Sequence, residues 1–145
     1  MAQQTGPVPT IISVFRRVST DMLDDLIARL DNAGYPGFSR SHHSVFENLD
    51  PAGTRLTELA ARAGITQQSM SELVSVLELR GYLERLVDPT DRRARLVRLT
   101  PAGKRMARQA LHEMRLIEAD WRDRLARAGL SGDIVDALSE ALTGL

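Results

Sequence analysis

The sequence predicts a mainly α-helical domain with one small β-hairpin (an α+β fold), and three observations lead to this fold class. Apolar residues recur every three or four positions in several segments, which is the period of an amphipathic helix. One segment, residues 82–100, instead approximates alternation on either side of a charged turn, which is typical of a hairpin. The chain has 145 residues, of which 43% are hydrophobic, and this favours a single globular domain.

The N-terminal part of the chain predicts a flexible arm and then a long helix. Residues 1–10 are small and polar and contain two prolines, so we expect a frayed arm. From Ile11 the apolar residues keep the helical period as far as Leu30, and Asn32-Ala33-Gly34 ends the helix. Its apolar stripe is wide and the helix is long for a small domain. We therefore expect it to pack against more than its own core, such as a partner subunit.

Three shorter helices are predicted in the middle of the chain. They are Ser39–Leu49, Glu58–Ala63 and Gln67–Arg80. Thr57 is expected to cap the second of them and Thr66 the third, because a threonine hydroxyl can accept a hydrogen bond from a free N–H of the first turn. Since only Gly64-Ile65-Thr66 separates the last two helices, they form a helix-turn-helix whose recognition helix is 67–80.

The segment that follows predicts a basic hairpin. Residues 82–87 and 94–100 form the strands, and the turn between them is Asp88-Pro89-Thr90-Asp91-Arg92-Arg93. A helix-turn-helix followed directly by a basic hairpin is a winged helix, and the hairpin is its wing.

Two further helices are predicted at the C-terminal end. Thr100-Pro101 starts a long helix that ends at Gly129, and Ser131 is expected to start the last one. We therefore expect an arm at 1–10, a winged helix-turn-helix DNA-binding domain at 36–104, and a helical dimerisation region made of 11–35 and 105–145.

The charge distribution points to DNA, although the net charge is zero from 19 basic and 19 acidic residues. Residues 55–105 hold an excess of basic residues and the rest of the chain an excess of acidic ones, an asymmetry that suggests contact with a polyanion. The predicted recognition helix has no Lys or Arg between Thr66 and Leu79, so the wing must supply the electrostatic affinity. Its five arginines are Arg85, Arg92, Arg93, Arg95 and Arg98. At the tip of a wing, arginine can enter a narrow minor groove.

The exposed face of the recognition helix carries polar side chains suited to base edges. They are Gln67, Gln68, Ser71 and Ser75. Glutamine can make a bidentate contact with adenine, and serine can donate or accept. Glu72 lies among them, and we expect it to form a surface ion pair rather than to contact cytosine.

Several classes of function are excluded by what the sequence lacks. The chain has no cysteine, which removes disulfides, thiolate metal sites and cysteine redox sensing. It has no glycine-rich phosphate loop, HExxH or Gly-x-Ser-x-Gly motif, so we expect no enzyme and no cofactor. Its N-terminus lacks the pattern of a signal peptide, and no apolar run is long enough for a bilayer span, so we expect a cytoplasmic protein without a membrane partner.

The run GITQQSMSELVSVLELRGYLERLVDPTDRRARLVRLTPAGKRM resembles the MarR family of bacterial transcription regulators. The resemblance is specific over residues 55–104, where Asp91-Arg92-Arg93 and the following LVRLTPAG look like the family's wing and the start of its next helix. The sequence departs from the family at Glu72, Val76 and Leu79, where many members have basic residues. This departure predicts weaker DNA binding at high salt.

The resemblance implies an obligate homodimer, joined by the terminal helices, that binds a pseudo-palindromic operator in double-stranded DNA. By position, Asp91 would structure the wing and Arg93 would enter the minor groove. The residues that would face the major groove are Gln67, Gln68, Ser69 and Ser71. MarR-like proteins often bind small aromatic acids between the dimerisation helices and the winged helix. The helices that could line such a pocket here carry Phe15, Arg16, His43 and Phe46.

The sequence predicts a dimeric repressor whose DNA affinity a small, possibly aromatic acidic ligand modulates, and two other hypotheses stay open. In one, the protein is a zinc-responsive regulator that uses His42, His43 and His112, although adjacent helical residues point about 100° apart. If the histidines bind no metal, we expect one of the adjacent pair to pack near Tyr35 and Phe46 and the other to be exposed. In the other hypothesis, the protein is an interaction module with weak non-specific DNA binding.

Overall fold

A computed structural model describes residues 8–130 and 132–143 of the chain. Its helices and strands, in chain order, are α1 (Ile11–Asn32), α2 (Arg40–Glu47), β1 (Thr54–Arg55), α3 (Leu56–Ala63), α4 (Gln67–Leu79), β2 (Leu83–Val87), β3 (Arg95–Leu99), α5 (Pro101–Arg127) and α6 (Ile134–Thr143). The strands form an antiparallel sheet in the order β1-β3-β2. The predicted fold class is confirmed, because the described chain is mainly helical and carries one small sheet. Residues 1–7 of the predicted arm lie outside the described residues. Ser131, the predicted start of the last helix, lies outside them as well.

The core of the winged helix lies between α2, α3, α4 and the sheet. Its buried apolar residues are Val45, Leu59, Ala60, Met70, Val74, Leu77, Leu83 and Val97. Three of them recur on α4 at the spacing that the sequence predicts for its inner face. This core fixes which face of α4 remains available to a partner.

A second, smaller core joins the two long helices. Leu26 and Leu30 of α1 pack with Ile117 of α5, and all three are buried. The Arg29 side chain reinforces this contact, because it donates to Asp25 on its own helix and to Asp120 on α5 at 3.1 Å. The long helices are thereby fixed to each other beside the winged helix.

Most predicted helix ends are confirmed, but two predicted starts are wrong. The last helix, expected to start at Ser131, begins at Ile134 instead, where the Asp133 carboxylate accepts from the Val135 N–H at 2.9 Å. Thr66 caps α4, since its Oγ1 accepts from the Ser69 N–H at 3.1 Å, and Thr100 caps α5 in the same way, with Pro101 in the first turn. The prediction that Thr57 caps α3 is wrong. This helix begins at Leu56, after Arg55, whose side chain makes no capping hydrogen bond. The reason is that Thr54 and Arg55 pair with β3, so the helix starts directly where this short strand ends.

The outer parts of the terminal helices expose apolar side chains. No residue of α6 is buried within the described chain. The exposed apolar residues of α1 and of the C-terminal segment are Ile11, Ile12, Val14, Phe15, Leu130, Val135, Leu138 and Leu142. Over the described residues, no helix combines the length and apolarity required to cross a bilayer.

Candidate nucleic-acid interface

The exposed face of α4 is a row of four side chains one turn apart. The row consists of Gln68, Glu72, Val76 and Leu79, and we call it the outer face of α4. These residues lie opposite the buried Met70, Val74 and Leu77, so the helical period points them away from the core. Gln67 and Ser69 are also exposed at the start of the helix. The predicted base-contacting residues at the N-terminal end of α4 are therefore accessible.

Ser71 and Ser75 have a different environment from the one that the sequence suggests. Both are half-buried between α4 and the wing. The Arg85 guanidinium of β2 donates to the Ser71 carbonyl at 2.9 Å and to the Ser75 hydroxyl at 3.2 Å. The same guanidinium pairs with Glu78 at 2.9 Å. Arg85 thus ties the recognition helix to the wing, and both serine hydroxyls are engaged within the chain.

The wing carries fewer available positive charges than its sequence suggests. Arg85 pairs with Glu78, and Arg98 donates to Glu84 across the hairpin at 2.7 Å. The three remaining arginines of the wing are Arg92, Arg93 and Arg95, and we call them the tip arginines. All three are exposed, and within the part of the chain that the structure describes none has a carboxylate within salt-bridge distance. The positive charge of the wing is therefore concentrated at its tip.

Asp91 structures the tip through the backbone. Its carboxylate Oδ1 accepts from the Arg93 N–H at 3.0 Å, and its carbonyl accepts from the Ala94 N–H at 2.9 Å. This turn holds the Arg93 side chain at the outer end of the hairpin.

The start of the wing's turn is held by a buried carboxylate, Asp88, that the sequence did not identify as structural. The Asp88 side chain is only 5% exposed, and Arg55 pairs with it at 2.6 Å. The hydroxyl and the N–H of Thr90 donate to the other carboxylate oxygen at 2.7 and 2.8 Å. The Thr90 hydrogen bonds, together with Arg55, lower the pKa of the Asp88 carboxyl to about 2. The only signal in the sequence was an acidic residue at the start of a turn.

We expect the wing to loosen in acid through Asp88. Its pKa of about 2 in the folded state lies below the ordinary value of 3.8, so ionised Asp88 stabilises the fold. That stabilisation is complete above about pH 4 and is lost as the pH falls towards 2. In urea unfolding from pH 7 to 2, the stability difference between wild type and Asp88→Asn should therefore shrink below pH 4. A difference that stays constant over this range would contradict the assignment.

Glu72 does not form the surface ion pair that the sequence suggests. Among the described residues, no basic side chain lies within salt-bridge distance of its carboxylate. Its hydrogen-bond partner is the amide of Gln68, which donates to Oε1 at 3.3 Å. The expectation of an ion pair is wrong because the exposed surface around the outer face of α4 carries serine and aliphatic side chains instead.

The two adjacent histidines of α2 have different surroundings. His42 is buried against Phe38, with ring centroids 6.0 Å apart, rather than near Tyr35. Its Nδ1 accepts from the Ser39 N–H at 3.1 Å and completes a capping box at the start of α2. Burial lowers the pKa of the His42 imidazole, and the charge of Arg80 lowers it further. His42 is therefore a neutral structural residue near pH 7.

His43 and Phe46 line a small cleft between α1, α2 and α5. The other side chains around it include Leu26, Leu30 and Met106, and its volume is about 40 Å³. Phe15 and Arg16 lie elsewhere, more than two helical turns before Leu26 on α1. The structure thus brings together two of the four residues predicted for a ligand pocket and separates the other two from them.

Phe15 lines a second, larger cavity between the terminal helices. This cavity measures about 310 Å³ and is almost entirely apolar. Its walls include Val18, Trp121, Leu125 and Leu138. Arg16 points to a different surface, beside Thr10 and Ser13.

The structure does not assemble the predicted zinc site. Within residues 8–130 and 132–143, no three side chains of His, Asp or Glu are grouped so that they could hold a metal ion. His112 is exposed on α5, and Nδ1 of His42 already accepts a backbone hydrogen bond.

Comparison with known proteins identifies the winged helix and the overall fold. Residues 37–94 match the model of the MarR family. A MarR-family transcriptional regulator from Rhodococcus sp. RHA1 is 23% identical, with a TM-score of 0.71 over 91% of this chain and 89% of that chain. CouR from Rhodococcus jostii RHA1, solved with p-coumaroyl-CoA, is 24% identical, with a TM-score of 0.71 over 91% and 88%.

A third solved structure extends the likeness to a complex with DNA. The S. aureus MepR–DNA complex is 19% identical, with a TM-score of 0.69 over 94% of this chain and 96% of that chain. Among curated protein sequences, none matches this chain significantly. The family match covers α2, β1, α3, α4, β2 and the turn of the wing but ends before β3, and the structural matches extend over nearly the whole chain. Residues 37–94 are therefore similar to the MarR family, and the chain as a whole shares the fold of these solved winged-helix structures.

Proposed function

We propose that the protein is a homodimeric repressor that binds a pseudo-palindromic operator and responds to a small ligand. The observation that carries DNA binding is the placement of the tip arginines. They stand exposed at the end of a hairpin that Arg85 ties to the recognition helix. An Arg-bearing tip beside an exposed helix matches the two adjacent grooves of B-DNA, since the helix enters the major groove and the arginine the minor groove.

Dimerisation is supported by the apolar surface of the terminal helices. Leu142 is 75% exposed and Ile11 70%, and the cavity beside Phe15 has apolar walls. Contiguous exposed apolar surface of this kind marks an interaction site. The surface belongs to three helices that lie outside the winged helix, so a two-fold axis through it leaves both wings accessible. Two recognition helices can then enter successive major grooves about 34 Å apart.

Ligand control is supported by the cleft at His43 and Phe46, which lies where the long helices meet the winged helix. CouR, which shares this fold, was solved with p-coumaroyl-CoA. At about 40 Å³ the cleft holds little more than one water molecule, so an aromatic ligand must open it. Opening would move α2 and α4 relative to α1 and α5. Such a ligand lowers DNA affinity only to the extent that it binds the open form more tightly.

Operator binding is best tested by titrating the full-length protein into DNA from upstream of its own gene at several salt concentrations. Wild type should bind selectively as a dimer, with an affinity that falls steeply as salt rises. Arg93→Ala should weaken binding and reduce the slope of log K against log salt by about one unit per half-site, the value for one lost phosphate-like contact.

Arg17→Ala is the matched control, because this arginine is exposed on α1, far from the wing in the chain. It should leave the salt slope unchanged. Equal binding of unrelated DNA, or an unchanged slope in Arg93→Ala, would contradict the proposed function.

A further inference from the structure

The outer face of α4 is chemically unusual for a helix that lies against DNA. It presents one amide, one carboxylate and two aliphatic side chains, and Leu79 is 89% exposed. No cation lies on this face to contact a phosphate. The carboxylate and the aliphatic side chains of this face cannot donate to a phosphate, so their contacts with DNA must be made to base edges, where a carboxylate accepts hydrogen bonds and an aliphatic side chain packs on a methyl group.

Glu72 stands in the middle of this face with free acceptor capacity. The Gln68 amide occupies one position on its Oε1 at the long distance of 3.3 Å. A carboxylate has about four acceptor positions, so the remaining three are available. Within the described residues, no arginine competes for them at salt-bridge distance. The negative charge of Glu72 repels DNA and therefore weakens binding. Tight binding requires that the carboxylate make a specific contact that offsets this repulsion.

The major-groove edges of the four bases differ sharply in how they receive a carboxylate. Guanine presents two acceptors and thymine an acceptor and a methyl group, so both repel it. Adenine offers an amino donor, but an acceptor nitrogen lies beside it. Cytosine offers the N4 amino donor without an adjacent acceptor. Cytosine is therefore the base that a carboxylate at this place prefers.

We propose that Glu72 determines operator specificity by accepting a hydrogen bond from the N4 amino group of a cytosine in each half-site. The inference rests on the proposed function, because it requires α4 to lie in the major groove. It assigns to Glu72 a base-contacting role, and it explains how a recognition helix without basic residues can discriminate between sequences while the tip arginines supply affinity.

In vitro selection from a random double-stranded DNA library tests the inference. The full-length wild type is compared with Glu72→Gln, which keeps the shape of the side chain and removes the charge. Glu47→Gln is the control, since Glu47 is exposed at the end of α2 and its substitution removes one equal charge. Wild type and control should both select a C·G pair at one position in each half-site. In Glu72→Gln the preference at that position should fall about tenfold.

Binding to the selected duplex separates base recognition from general electrostatics. Replacing the selected C·G pair by T·A should weaken wild type about tenfold and Glu72→Gln less than threefold. An equal gain of Glu72→Gln on all sequences, with the cytosine preference intact, would overturn the inference and leave operator binding standing. Wild type that selects no sequence would overturn both the inference and the proposed function.

Discussion

Replacing Gly103 with alanine is expected to destabilise the protein by about 3 kcal/mol, because the added methyl group has no room. Gly103 is buried in the first turn of α5, and a Cβ built there would lie 2.0 Å from the Tyr82 carbonyl oxygen. That oxygen cannot turn away, since it accepts from the Thr100 N–H at 3.1 Å. The start of α5 must therefore separate from the start of β2.

The expected destabilisation is opposite in sign to the usual effect of replacing a helical glycine with alanine. In an exposed helix interior the same substitution stabilises by about 1 kcal/mol, since alanine has the higher helix propensity. Urea unfolding of Gly103→Ala should show a loss of stability, while Lys104→Ala, at the exposed neighbouring position, should change it by about 0.5 kcal/mol or less. A Gly103→Ala variant as stable as wild type would show that α5 does not approach the hairpin so closely.

Gly103 also shows what local sequence patterns could predict. The capping threonines, the glycine stops and the change of period between helix and hairpin are local signals, and they predicted α4, α5 and the wing. β1 has two residues, Thr54 and Arg55, which is too short for any period to appear. Its existence depends on pairing with β3, more than forty residues further along the chain. No local pattern contains that information.

The wing shows the same limit for charged residues. The sequence predicts a basic hairpin, but it does not reveal which arginines have partners. Arg85 pairs with Glu78 and Arg98 with Glu84, and only the folded hairpin brings these residues together. The sequence places Asp88 in a charged turn, yet it is a buried anchor bonded to Arg55, 33 positions away. The residues that remain available for DNA are therefore fewer and closer to the tip.

The ligand-pocket residues could be assigned to helices but not to a common cavity. Phe15 and His43 both lie on helices near the junction, as the family resemblance implies. On α1, however, Phe15 is 11 residues before Leu26, which at 1.5 Å per residue is about 16 Å along the axis. Helix length therefore places Phe15 in the apolar cavity of the terminal helices and His43 in the cleft beside the winged helix.

The second large effect concerns Leu138, which lines the apolar cavity between the terminal helices. Leu138→Asp should convert the protein to a monomer and weaken operator binding at least 100-fold. A carboxylate in the apolar surface next to Trp121 and Phe15 would lose its hydration when a second copy covers it, and this cost opposes association. The loss of affinity follows because a dimer holds two winged helices on one operator, and such bivalency raises affinity by about 10²–10⁴. Analytical ultracentrifugation and DNA titration measure the two effects.

The substitution should leave the fold of each protomer intact. No residue of α6 is buried within the described chain, so Leu138 contributes little to the core that holds the winged helix. Ser139→Asp places the same charge on an exposed neighbouring position of α6 and should stay dimeric with unchanged DNA affinity. If Leu138→Asp remained dimeric, the apolar surface would not be the interface. If it were monomeric and still bound the operator tightly, a single winged helix would suffice for recognition. A ligand could then not control operator binding by changing the distance between two recognition helices.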